Sequence, residues 1–234
     1  MAVVDVAARR AALSRSALFQ VLQPAEIDAV LAQAAVRRVA RNETILRRGD
    51  ASSGANIILT GRVRVGTMSE DGREVTLGVL GPGDVLGEMS IIDGEDVSAD
   101  ATALEDCVLL FIERARFLRL LRADSDLCLR LMAVLCRRQR RSNAALEDMA
   151  LLDLGARLAR LLLRLAQDYG AASARGTRIE VRLSQKDLGT LVGSSREKVN
   201  KQLREWEEAG AIGKEGGRLV IRRRETLAAA ASPE

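Results

Sequence analysis

Residues 87–103 read GEMSIIDGEDVSADATA, with glycine at the start and a Ser98-Ala99 pair further on, the outline of a loop that holds an anion. Yet the stretch carries five acids, Glu88, Asp93, Glu95, Asp96 and Asp100, and no base. An anion site supplies positive charge or a dense array of N–H donors. A phosphate bound here must therefore draw its positive charge from another part of the chain. Loops rich in Asp and Glu are commonly no more than solvated turns, and no nucleophile–base pair accompanies these acids, so an enzyme is not the expected reading.

A second chemistry-bearing stretch is LSQKDLGTLVGSSREKVNKQLREWEEAGAI, residues 183–212. It has two helix starts with capping-box spacing, Ser184 with Asp187 and Ser194 with Glu197, and a turn at Gly193 between them. Leu188, Leu191 and Val192 on the first helix and Val199 and Leu203 on the second fall at i, i+3, i+4 spacings, so two short helices share a core. This is a helix-turn-helix pattern. The second helix displays Ser195, Arg196, Lys198, Asn200, Lys201 and Arg204 on its remaining faces. Arg and Asn are shaped for bidentate contact with guanine and adenine edges, while serine hydroxyls and helix N–H groups suit phosphates. The candidate DNA-binding set is Ser184, Gln185, Ser194, Ser195, Arg196, Glu197, Lys198, Asn200 and Lys201. The following GAIGKEGGRLVIRRR reads as a β-hairpin around Gly216-Gly217 with bases on both arms, a wing able to touch the adjacent backbone. Aromatic residues make up only 2%, which leaves out the stacking platforms of single-strand and RNA binders, so duplex DNA is the expected partner.

The charge is placed to match. Residues 1–154 carry 20 Lys and Arg against 22 Asp and Glu, whereas residues 155–234 carry 16 against 10. There is no histidine, which excludes histidine acid–base catalysis and histidine-ligated zinc or haem. Cys107, Cys128 and Cys136 are odd in number and lie in apolar runs, so they read as buried free thiols and not as a disulfide framework or metal site. No run is apolar for the 18 or so residues a bilayer span needs, and a basic segment followed by an apolar stretch is missing from the N-terminus. A cytoplasmic protein with no membrane partner is expected.

The elements that must position these residues can be read in outline. From about 36 to 112, short β-branched runs alternate with glycine turns, the pattern of a β-barrel or roll. Ahead of it, PAEIDAVLAQA places Pro24 at the first turn of a helix with Ile27, Val30 and Leu31 on one face, packed on the roll. Residues 126–149 contain neither glycine nor proline and read as one helix about 36 Å long. Its apolar seam, Cys128, Met132, Leu135, Gln139, Ser142, Leu146 and Met149, alternates by four and three, as in a coiled coil. The seam must bury itself against its own roll or against a second copy; a parallel homodimer is the expectation. Gln139, Ser142 and the adjacent Asn143 either control register or line a ligand site at the dimer axis. The basic run at 137–141 reads as a solvated face. Asp153 can cap a further helix from about 154 to 167, and the break beside it is a candidate hinge.

With these blocks in order, ILTGRVRV, GPGDVLGEMSIIDGE, LLDLGARLARLL and LVGSSREKVNKQL, the chain resembles the cAMP receptor protein/Fnr family of transcription regulators over residues 18–221. The resemblance implies an α+β fold: a β-roll cyclic-nucleotide-binding-like domain at 13–125, a dimerisation helix and hinge at 126–153, and a winged helix-turn-helix at 154–234. It implies a homodimeric regulator reading a palindromic site, with RNA polymerase as a further partner and a cyclic nucleotide, cAMP or cGMP, as effector; no metal is implied.

In that family Gly87, Glu88 and Met89 match the start of a phosphate-binding cassette, the glutamate accepting from a ribose hydroxyl. Ser98 and Ala99 match its end, at the cyclic phosphate. The family's phosphate-neutralising arginine falls on Val97. Ser142 and Asn143 match the positions that contact the base, and Arg138 an arginine near the phosphate. In the recognition helix Arg196, Glu197 and Lys201 match the base readers, with Lys201 where the family often has arginine. Loss of the cassette arginine removes about 1.5–3 kcal/mol, roughly 10- to 150-fold in affinity. Three readings follow: Arg138 carries the phosphate, a different effector such as cyclic di-GMP or a small acid binds, or the dimer is active without ligand.

Overall fold

The computed structural model describes residues 5–14 and 16–232. Their contacts divide the chain into two compact units, one of the described residues up to 72 with 77–140 and one of 73–76 with 141–232.

The first unit opens with helices α1 (Val6–Ser14) and α2 (Pro24–Gln33). Pro24 begins α2 as expected, and Ile27 and Val30 face inward. Eight strands follow: β1 (Ala35–Val39), β2 (Thr44–Leu46), β3 (Gly54–Thr60), β4 (Val63–Met68), β5 (Glu74–Leu80), β6 (Val85–Leu86), β7 (Asp100–Ala103) and β8 (Cys107–Glu113), with the short helix α3 (Glu88–Asp93) between β6 and β7. They form two four-stranded sheets, β1-β8-β3-β6 and β2-β7-β4-β5. β3 pairs antiparallel with β6 and β8, with Asn56 opposite Leu86 on one side and Phe111 on the other. In β3 and β8 almost every residue is apolar because both faces are covered. Ile57, Leu59, Leu110 and Ile112 point to a core shared with α1, α2 and the following helices, while Ile58, Cys107 and Leu109 point into the roll between the sheets. The β-roll is thus built on a central pair of strands buried on both sides.

Two helices complete this unit. The first, α4 (Arg114–Ala123), buries Phe117 and Leu121, and α5 (Ser125–Leu151) buries Leu127 and Leu131. The seam read from sequence is a different stripe of α5. Met132 and Leu146 are 51% and 66% exposed, and Leu129 and Leu151 are exposed as well. The helix packs on its own roll through Leu127 and Leu131, with Cys128 from the start of the seam against the same core, and leaves Met132 and Leu146 of the seam outward. It is 27 residues long, and its buried residues, Leu127 and Leu131, both lie in its first two turns.

In the second unit the C-terminal part of α5 is joined to α6 (Leu154–Tyr169) by a tight break at Leu152-Asp153. Asp153 caps α6 by accepting from the Ala156 N–H at 2.8 Å, as its place in the sequence suggests. Asp148 on α5 accepts from Arg160 on α6 at 2.6 Å and fastens the two helices across the break. α6 is strongly amphipathic and buries Leu158, Leu161, Leu162 and Leu165. Next come β9 (Gly170–Ser173), β10 (Gly176–Ile179), α7 (Gln185–Val192), α8 (Arg196–Glu208), β11 (Ile212–Glu215), β12 (Arg218–Ile221) and α9 (Arg224–Ala230). Strands pair in the order β11-β12-β10-β9. Both Gly216 and Gly217 have positive φ, 56° and 76°, the conformation a two-residue primed turn needs to follow the strand twist.

The fold class is the α+β one expected: a two-sheet roll, a long helix and a C-terminal helix-turn-helix with a wing. Three expectations need correction. The acidic stretch after Gly87 is not a plain loop, because it contains α3 and ends in β7. The cap of α8 is Ser195, whose hydroxyl accepts from Lys198 N–H, and not Ser194; Gly193 closes α7 in the left-handed region and pushes the next helix start one residue on. The cysteines are all free, but only Cys107 is buried, Cys128 is half-buried and Cys136 is exposed. Cys136 sits on a face of α5 that the roll does not cover. The last two residues of the segment expected to run to 234 lie outside the described residues.

Candidate functional site

Gly87 turns the chain from β6 into α3 with φ of 80°, and a side chain at that position would meet the Gly54 carbonyl at 3.1 Å. Only glycine accommodates both the conformation and the approach. The turn carries the Glu88 side chain inward, where it is 3% exposed. Its partner is Arg138 on α5, whose Nη1 donates to Glu88 Oε1 and whose Nη2 donates to the Val85 carbonyl at 2.7 Å. Burial pushes the Glu88 carboxyl above its ordinary value; Arg138 and the residue's own backbone N–H pull it back without cancelling the shift, and Asp84 adds to the rise. Two of the residues singled out from sequence, 50 apart in the chain, are therefore joined directly.

The rest of the cassette is arranged differently. Val97 is buried, and its backbone pairs with the turn before β3: its N–H donates to the Asp50 carbonyl at 2.9 Å and its carbonyl accepts from Gly49 at 2.8 Å. The cassette's missing arginine is thus replaced by a side chain that has joined the core. Ser98 is exposed and Ala99 buried; among the described residues no hydrogen bond joins Ser98 to Glu88 or Arg138. Met89 is 46% exposed on the outer face of α3. Ser142 and Asn143 are exposed on α5. The residues present fit a ligand with a hydroxyl for Glu88 and an anionic group for Arg138, provided that the ligand exchanges those contacts for the ion pair.

In the second unit, Ser184 and Asp187 form a closed capping box. Asp187 accepts from both the Ser184 hydroxyl, at 2.6 Å, and its backbone N–H, at 2.8 Å, while Ser184 Oγ accepts from Asp187 N–H. The Ser184 hydroxyl is spent on the cap, which leaves the first N–H groups of α7 as the outward donors. Gln185 does not face outward alone: its Nε2 donates to Asn200 Oδ1 on α8 at 2.7 Å. Nothing in either residue's own neighbourhood in the sequence marks this pair.

On α8, Arg196, Lys198, Lys201 and Arg204 are exposed, and among the described residues none forms a side-chain hydrogen bond or ion pair. Glu197 beside them is held below the ordinary carboxylate value by its own backbone N–H and the Ser195 hydroxyl, with the Arg196 charge adding to the effect. It stays ionised, an acceptor next to a row of donors. Ser194 is half-buried in the turn.

The wing differs from the expectation of free bases on both arms. Lys214 pairs with Glu207 at 2.6 Å, Arg218 with Glu180 at 3.3 Å, and Arg223 donates to the Ala209 and Gly210 carbonyls that end α8. These cations hold the wing and the end of α8 in place. Arg222 lies over Gly213, and Arg224 is exposed at the start of α9. Among the described residues no helix is long and apolar enough to cross a membrane, and no cluster of His, Cys, Asp and Glu is able to hold a metal ion.

Two family models match this chain, the cyclic nucleotide-binding domain over residues 36–124 and the Crp-like helix-turn-helix domain over residues 156–230. Among curated proteins, it is 33% identical over 216 residues to a CRP-like cAMP-activated global transcriptional regulator of Mycobacterium tuberculosis, covering 92% of this chain and 96% of the relative. Among solved structures, a CRP-family transcriptional regulator of Thermus thermophilus superposes with a TM-score of 0.71 at 30% identity, covering 84% and 97% of the two chains. The c-di-GMP responsive global regulator CLP of Xanthomonas campestris superposes with a TM-score of 0.73 at 26% identity, covering 85% and 99%.

Proposed function

The chain belongs to the cAMP receptor protein/Fnr family of DNA-binding transcription regulators, which are not enzymes, and from that premise we propose a cytoplasmic homodimer that reads a palindromic site in duplex DNA. The observation that carries this reading is the α8 face, where Arg196, Lys198, Lys201 and Arg204 stand exposed and uncommitted around an ionised Glu197. Arg196 donates to guanine, Glu197 accepts from cytosine, and Lys198 and Lys201 meet phosphates or guanine. The N–H groups that open α7 and α8 at Ser184, Gln185, Ser194 and Ser195 anchor the backbone. RNA polymerase is the further partner proposed for transcription control.

The effector reading rests on the ion pair of Glu88 and Arg138. A cyclic nucleotide, cAMP or cGMP, held at Gly87, Glu88, Met89, Ser98 and Ala99 donates a ribose hydroxyl to Glu88 and places its phosphate at Arg138, with Ser142 and Asn143 offered to the base. Binding exchanges an internal pair for two ligand contacts and so changes how α5 is tied to the roll, which biases one arrangement of the DNA-reading helices over another. The buried Val97 favours a second reading, in which the effector is a different one, such as cyclic di-GMP, or none is needed.

Selection of bound duplexes from a random pool tests both, run without nucleotide and with cAMP, cGMP or cyclic di-GMP. The expected result is a palindrome with half-sites about 34–36 Å apart, enriched more strongly with one nucleotide. Equal enrichment in every arm supports the effector-free reading, and no selected sequence in any arm overturns the DNA-binding one. On the selected site, Arg196→Ala should lose about 5- to 150-fold in affinity and far less on random duplex.

A further inference from the structure

Two arginines border the stretch from Gly87 to Ala99, and they differ in what they have left to give. Arg138 donates one Nη to Glu88 and the other to the Val85 carbonyl, so the end of its guanidinium is spent. Arg48, in the turn after β2, donates only Nη1, to Thr67 Oγ1 on β4 at 2.8 Å. It is exposed, and among the described residues its guanidinium has no acidic partner. A guanidinium carries its N–H donors in a planar fork. The edge made by Nε and Nη2 therefore stays open.

The pairing of the chain fixes where that edge lies. In the order β2-β7-β4, the segment leading into β7 runs between Arg48 and Thr67. On one side Val97 exchanges backbone bonds with Gly49 and Asp50, and the Arg48 N–H donates to Asp100 Oδ1 at 2.9 Å. On the other, Val65 and Gly66 pair with Ala101 and Asp100. The Arg48 side chain thus crosses the chain at Ser98 and Ala99 to reach Thr67. Thr67 lies two residues beyond Val65, which packs on the core between the sheets, so the crossing is on the inner face of the roll. Leu46, just before this turn, would meet a side chain at Gly87 at 3.5 Å, which places the crossing at the end of the roll that holds Glu88. Among the described residues no hydrogen bond is made by the Ser98 hydroxyl or by the N–H groups of Ser98 and Ala99.

We propose that Arg48 supplies the positive charge that Val97 cannot, binding the phosphate ester of an effector laid on Ser98 and Ala99. The open edge of Arg48 suits two oxygens of one anionic group, and a phosphodiester offers its two unesterified oxygens in that geometry. Arg48 is ready without rearrangement, whereas Arg138 becomes available only when Glu88 gives it up. This inference rests on the effector reading above and adds to it the cation that meets the phosphate first.

The test is titration calorimetry with cAMP, cGMP and cyclic di-GMP on the full chain, as wild type, Arg48→Gln, Arg48→Lys and Arg47→Gln, each first shown to keep its thermal midpoint without nucleotide. For whichever nucleotide wild type binds, Arg48→Gln is expected to lose roughly 10- to 150-fold in affinity, the worth of a charge-assisted contact. Arg48→Lys keeps the charge but not the fork and should recover only part of the loss. Arg47→Gln removes the same charge one residue away, from a side chain that is also exposed, and should bind as wild type does. An equal loss in Arg47→Gln would mean that overall charge alone attracts the ligand, which overturns the inference, as does wild-type affinity in Arg48→Gln. A wild type that binds none of the three at millimolar concentration overturns the effector reading and this inference with it, whereas binding that survives Arg48→Gln leaves that reading standing.

Discussion

Glu88 is the residue at which the fold accepts a penalty. A carboxylate 3% exposed has lost nearly all its water, and the adjoining guanidinium of Arg138 restores only part of the lost stabilisation, so its pKa lies above the ordinary 4.5. The sign for stability follows. The folded chain holds the Glu88 proton more tightly than the unfolded chain does, so this residue's contribution is greatest below about pH 4.5 and declines as pH rises through the raised value. Glu88→Gln removes the titration, and its thermal midpoint relative to wild type is expected to climb as pH rises above about 4.5; a difference that is flat or falls with pH would show that Arg138 compensates the burial in full. The pairing itself was not legible from periodicity or composition. Sequence pattern locates Glu88 by its glycine and Arg138 by its basic run, but only the resemblance suggests that they serve one site, because contacts between residues 50 apart leave no local spacing. The burial of Val97 was equally hidden: a valine among acids reads as part of a solvated loop until the backbone of the 49–50 turn is seen pairing with it.

At the scale of elements, what could be read is what carries a local signal. α2, α5, α6, α7 and α8 have helical apolar spacing and, in four cases, a proline or a side-chain cap at the start, and they lie close to where the sequence puts them. α3 is six residues long between two glycines, too short for a period to show. β9 and β10, GAAS and GTRI, lack the β-branched runs that mark strands; they are strands because β12 supplies the ladder on one side of β10. α4, RARFLRLLRA, starts with neither a proline nor a side-chain cap, so nothing local separates it from the end of the roll. The best test at this scale is the Asp153 cap. It starts α6 directly after the break with α5, and Asp153→Ala should cost about 1 kcal/mol of stability, while Asp153→Asn or Asp153→Ser, which keep an acceptor, should recover most of it. Thermal denaturation of the three variants reads this out; an alanine variant as stable as wild type would mean that the Asp148–Arg160 contact alone sets where α6 begins.

For the whole molecule, the open question is what the outward stripe of α5 is for. The same helix satisfies its own roll with Leu127 and Leu131, yet Met132, Leu146 and Met149, all on the 4-3 seam, remain exposed along its length. Scattered exposed leucines need no explanation, but a row at coiled-coil spacing on one long helix does. A second copy of α5 laid parallel would cover it, and would set two α8 helices in the two-fold relation that a palindromic site requires. Because Met132 and Leu146 are not among the residues that pack the roll, dimerisation can be removed without removing the fold. Met132→Glu combined with Leu146→Glu should shift the chain from dimer to monomer in sedimentation and leave its helical circular dichroism intact. The wild-type thermal midpoint should rise with protein concentration, as it does for any fold stabilised by self-association, and that of the double variant should not. The monomer should also bind a full palindrome no more tightly than a half-site, since the gain from joining two recognition helices is lost with the joint. A double variant that remains dimeric would mean that another surface makes the dimer and that the α5 stripe has a different partner.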